Sequence, residues 1–139
     1  MIRPVLALVL IGSVLGCNMP LVPIGPEVPP HAVPYEAPAT YSCWWAELIA
    51  ESGLPAKSMD RIRWHVVQSG PWYSTRYRKT IQASWLPDGR VYIARGWTGD
   101  EGAVKHEMLH ELLDGDAEHS HPLFRKYNPS ANPAVPGRC

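Results

Sequence analysis

The chain has 139 residues with 13 basic and 13 acidic side chains, enough for one folded domain and not two. Balanced charge without a basic stripe argues against a nucleic-acid partner. Fifteen prolines, six tryptophans and a single phenylalanine point to a proline-rich linker beside a small, tryptophan-weighted core.

Residues 1–16 read as a leader. Arg3 gives a positive start, and Val5 to Leu15 is an apolar run broken only by Gly12 and Ser13. That is shorter than the roughly 20 residues needed to span a bilayer and has the length of a signal-peptide core. It ends in Val14-Leu15-Gly16-Cys17, which resembles the bacterial lipobox. The resemblance implies that Cys17 takes lipid and becomes the new N-terminus. An ordinary cleaved signal peptide is the alternative, and both readings export the protein. Asn18 follows the cysteine, which favours the outer membrane or periplasmic face of a bacterial envelope. With Cys17 lipidated, Cys43 and Cys139 are left to pair in an oxidising compartment.

From residue 17 to 39 the chain is expected to be a tether. Seven prolines between Asn18 and Thr40 exclude a helix or a central strand and favour extended, polyproline-like chain. The folded domain is expected over 40–139. Thr40 is placed to cap a helix whose apolar positions are Trp44, Trp45, Leu48 and Ile49, stopped by Gly53 and Pro55. In RIRWHVVQ, Ile62, Trp64 and Val66 alternate with Arg61, Arg63 and His65, the pattern of a strand with one buried face. His65 falls on its polar side. A second strand region runs to Leu86, and Pro87-Asp88-Gly89 turns it into a short strand over Arg90 to Ala94. Thr98 or Asp100 then caps a helix that reaches about Asp114 and stops at Gly115. The tail from His119 to Cys139, with four prolines, is expected to be mostly irregular. The fold class is therefore α+β, small for a single core and helped by a disulfide and a metal.

The last helix carries HEMLH. His106 and His110, four apart, project from one helix face and can reach one metal at about 2.0–2.1 Å. Glu107 lies beside them around the helix, where it can act as general base on water that zinc has acidified. Val104, Met108, Leu109, Leu112 and Leu113 form the apolar face beneath.

Through His106, Glu107 and His110 the chain resembles the zincin metallopeptidases, whose signature is HExxH. The likeness covers about 35 residues, from Arg90 to Phe124. It implies a Zn2+ cofactor, Glu107 as catalytic base, a peptide substrate, and a strand before the helix that binds extended peptide. Val91 to Ala94 occupies the matching place, where an exposed edge would accept peptide as one more strand.

The third ligand departs from the known patterns. Metzincins read HExxHxxGxxH, and here the glycine position holds Leu113 and the last position Asp116. No later helix supplies a glutamate as in gluzincins. The helix-ending glycine is Gly115, two positions later, so counting onward reaches Glu118 and His119. The order of preference is His119, then His121, then Asp116 and Glu118. Whichever tail histidine is left over, or more weakly Tyr127, is a candidate to polarise the substrate carbonyl. Pro122, Leu123 and Phe124 read as an apolar anchor returning the tail to the core. The expectation is an exported, lipid-anchored zinc hydrolase, a monomeric peptidase of the cell envelope. The alternative is an envelope lipoprotein that binds metal without catalysis. The substrate itself is not legible in the sequence.

Overall fold

The computed structural model describes residues 27–116, 118–128 and 139. The leader and Cys17 lie outside them. The elements run in the order β1 (Ala32–Pro34), α1 (Ala39–Ser52), β2 (Arg63–Val67), β3 (Trp72–Ser74), β4 (Lys79–Ile81), β5 (Ala83–Trp85), β6 (Arg90–Ala94), α2 (Glu101–Leu112) and α3 (Leu123–Lys126). The architecture is α+β: three helices and two small sheets among the described residues.

Four strands form the larger sheet in the order β1-β2-β6-β5. β2 and β6 are parallel, with Trp64 opposite Val91 and Val66 opposite Ile93. β1 and β5 run antiparallel to their neighbours at the two edges. Strand alternation then sorts the side chains. Trp64, Val91 and Ile93 face α1 and α2, where they join Tyr41, Trp44, Leu48, Val104, Met108 and Leu109 in the main core. Val67, Tyr92 and Ala94 point the other way and meet Trp72 and Ile81 of the β3–β4 hairpin. β6 is thus buried on both faces, as expected for a central strand beside a parallel neighbour.

Two expectations change here. The stretch expected as a tether up to residue 39 contributes β1, which pairs with β2. Tyr35 N–H donates to Trp64 O, and Gln68 N–H donates to His31 O. Proline excludes central strands but not edges, because an edge strand needs only half of its N–H groups for the ladder. The strand Val91 to Ala94, expected as an exposed edge, lies instead between β2 and β5. The free edge beside α2 belongs to β5.

Local chemistry explains the helix ends. α1 starts at Ala39 after Pro38, without the side-chain cap expected from Thr40, and ends at Gly53. Asp100 caps α2 by accepting from Ala103 N–H at 2.7 Å. α1 and α2 are fastened by Lys105, whose buried ammonium lies 2.7 Å from Glu47 and 2.6 Å from Glu101. Tyr41 Oη also donates to Thr98 O at 2.7 Å. The tail is less irregular than its prolines suggest, since α3 packs Phe124 into the core. Cys43 on α1 and Cys139 form a disulfide. No helix among the described residues is long and apolar enough to cross a membrane.

Candidate metal centre

His106 and His110 stand on one face of α2 with ring centroids 5.2 Å apart. The chain then leaves the helix through Asp114 and Gly115, both at positive φ (55° and 94°). Only glycine suits position 115. A Cβ there would come within 3.0 Å of the Trp85 ring, in a backbone conformation that other residues rarely adopt. The following loop is built on Asp116. Its Oδ2 accepts from Ser120 N–H at 2.9 Å, Ser120 Oγ at 2.6 Å and His121 N–H at 3.2 Å. These bonds hold the Asp116 carboxyl below the usual aspartate range.

This loop turns His119 back over the helix. His119 takes a left-handed backbone (φ 54°), which costs a non-glycine residue roughly 1–2 kcal/mol. Its Nε2 lies 3.1 Å from His110 Nε2. Ligand nitrogens of His106, His110 and His119 all fall within 4.8 Å of one another. Two ligands at 2.0–2.1 Å on a tetrahedral ion stand about 3.3 Å apart, so the trio is close to what one small cation needs. His106 fits in orientation as well. A carbonyl can only accept, so His106 Nδ1 donates to Tyr127 O at 3.2 Å, leaving its Nε2 lone pair for the cluster. His110 Nδ1 is buried without a hydrogen-bond partner, although the Asp116 backbone lies nearby.

The surroundings keep the His106 and His110 imidazoles neutral, as metal ligands must be. Burial lowers His106 to about 4, helped by its neighbour His119. Burial lowers His110 to about 3, helped by His106 and His119. Phe124 packs against all three rings, 5.1, 4.8 and 4.4 Å from His106, His110 and His119. Trp85 stacks on His110 at 5.8 Å, and its Nε1 donates to Glu111 Oε2 at 2.9 Å. Both aromatic rings were outside the sequence reading of the site. Their place depends on chain reversals that no periodicity reveals.

Glu107 faces the same cleft and is only 5 % exposed. Burial pushes its carboxyl up to about 8, against a stabilising hydrogen bond from the Trp85 backbone N–H. The cleft, about 250 Å³, lies between α2, β5 and the β3–β4 hairpin, and Ala83, Ser84 and Trp85 line its sheet side.

The other sequence candidates are placed elsewhere. His121 does not join the cluster; its Nδ1 accepts from Leu123 N–H and helps start α3. The Asp116 carboxylate is occupied by its own loop. Glu118 is exposed and outside the cluster. Tyr127 donates its hydroxyl to Glu51 at 2.5 Å on α1, so its ring is not free to polarise a substrate. His65 packs beside Tyr92 on the opposite face of the sheet. Compared with family models, curated proteins and solved structures, the chain matches none of them, so the reading of this site rests on its own residues.

Proposed function

We propose that the chain is a zinc-dependent hydrolase of zincin type that acts as a peptidase. The carrying observation is the convergence of His106, His110 and His119 with Glu107 alongside in one cleft. Three imidazoles with an open side suit zinc in a catalytic arrangement, and zinc held there would supply Lewis acidity and acidify water. Glu107 is the proton acceptor. Zinc held by the histidines would favour the ionised form of the buried Glu107 carboxyl, and the carboxylate, one position from the first histidine, takes the proton released as water attacks a carbonyl.

β5 supports a peptide as substrate. Gln82 O accepts from Ala94 N–H and Leu86 N–H donates to Arg90 O, so the even-numbered residues bond to β6. Ala83 and Trp85 therefore turn their backbone groups outward. Trp85 N–H meets Glu107, and Ala83 offers an N–H and a C=O to an extended chain. The apolar leader and the lipobox-like Cys17 in the sequence support an envelope location on a lipid anchor.

The test is zinc stoichiometry of the purified chain, followed by turnover of a peptide library. His106→Ala or His110→Ala should abolish stoichiometric zinc. Glu107→Gln should keep the metal and lose about 10²–10⁴-fold in kcat. A wild-type chain that binds no metal overturns the proposal. Full zinc occupancy without Glu107-dependent turnover leaves the non-catalytic metal-binding protein in its place.

A further inference from the structure

The β3–β4 hairpin forms one wall of the cleft; its turn carries Arg76 and Arg78 and β4 opens with Lys79, without an acidic residue between Trp72 and Trp85. Lys79 lines both lobes of the cleft, which meet at His106 and Glu107. Arg76 and Tyr77 line the first lobe, and Arg125 lines the second. Among the described residues neither Lys79 nor Arg76 makes an ion pair. Glu27 lies beside the turn, but its carboxylate accepts from Ser74 Oγ at 2.5 Å, Thr75 N–H at 2.8 Å and Thr75 Oγ1 at 3.1 Å. Glu27 thereby sets the shape of the turn that presents the cations. Among the described residues, Glu107 is the one acidic residue that lines either lobe.

We infer that this cleft selects ligands with a carboxylate, which Lys79 and Arg76 draw to the hairpin side of the site. The cations line the same cleft as Glu107, and an anion is what their charge lacks among the described residues. Half-exposed Tyr77, under the Arg76 guanidinium at 5.5 Å, gives the flanking residue of a peptide a flat surface to rest on. The carboxylate is either an Asp or Glu side chain or the C-terminus of the peptide. That this cleft is a substrate site rests on the hydrolase reading; its charge preference does not.

The experiment titrates the full-length Glu107→Gln chain, with and without zinc, by calorimetry. The probes are short peptides blocked at both ends and differing at one position by Glu, Gln or Lys, plus the Gln peptide with a free C-terminus. At low salt the Glu peptide, the free-ended peptide or both should bind at least tenfold tighter than the blocked Gln peptide, and which one gains identifies the carboxylate. Lys79→Glu should invert the order of the Glu and Lys peptides, and the preference should shrink in 0.5 M salt. Equal affinities, no measurable binding, or an order unchanged in both Lys79→Glu and Arg76→Glu overturn the inference. Both positions are exposed, so the substitutions leave the fold intact. A chain that takes no zinc but keeps the preference sinks only the hydrolase reading.

Discussion

Single residues divide the tail histidines sharply. His119 stands 3.1 Å from His110, whereas His121 is tied to the start of α3. His119→Ala should weaken zinc binding by more than the 10–100-fold that loss of a supporting hydrogen bond costs. His121→Ala should change it by no more than about threefold; competition with a chromogenic chelator measures both. The same residues set a pH dependence in the metal-free protein. Unfolded, the imidazoles of His106 and His110 take up protons near 6.5, but folded they do so only near 4 and 3. Stability therefore falls as pH drops through that window. Glu107 acts in the opposite sense: folded it keeps its proton to about 8, against 4.5 unfolded, so stability falls as pH rises between those values. Below 6.5 two imidazoles outweigh one carboxyl, and above it Glu107 acts alone. Thermal melts in chelator should peak near pH 6.5, and Glu107→Gln should flatten the alkaline side and steepen the acid side between 4.5 and 6.5.

At the level of elements, β5 makes the most specific claim. Its outward Ala83 N–H is available to a bound peptide and is not needed by the ladder to β6. Ala83→Pro should raise KM for peptides roughly tenfold with unchanged far-UV circular dichroism, because proline at an edge removes only the outward donor. Sequence patterning located most of these elements. Trp64 and Val66 alternating with arginine and histidine marked β2, Pro87-Asp88-Gly89 marked the β5–β6 turn, and Thr98 or Asp100 marked the start of α2, of which the structure uses Asp100. It misjudged which strand lies at the edge. Alternation reports which faces are buried, whereas β6 owes its central place to β2 returning beside it in parallel across a long excursion. The return of His119 over the helix was reachable by counting from Gly115, because a helix stop fixes where the chain can turn. Trp85 and Phe124, packed against the histidines from distant positions, left no such local mark.

For the whole molecule, the main covalent constraint is Cys43–Cys139, with a sequence separation of 96. It encloses α2, the His119 loop and α3. Replacing both cysteines by serine should cost about 2–5 kcal/mol, near the upper end for so long a loop, read as a lower urea midpoint than in the oxidised protein. Its pairing was legible from cysteine counting alone, because three cysteines less one at the leader leave a pair. The extent of the folded unit was less legible: proline content outlined a spacer to residue 39, but prolines at an edge strand look the same as prolines in a linker. β1 has a consequence for anyone trimming the chain. A fragment beginning at Thr40 would strip the cover from β2, exposing a row of unpaired N–H and C=O groups beside Val66 and Val67, and would remove Glu27 from the hairpin turn. Such a fragment is expected to self-associate through the bared strand and to present its cations on a loosened wall, whereas one beginning ahead of Glu27 keeps both fastenings.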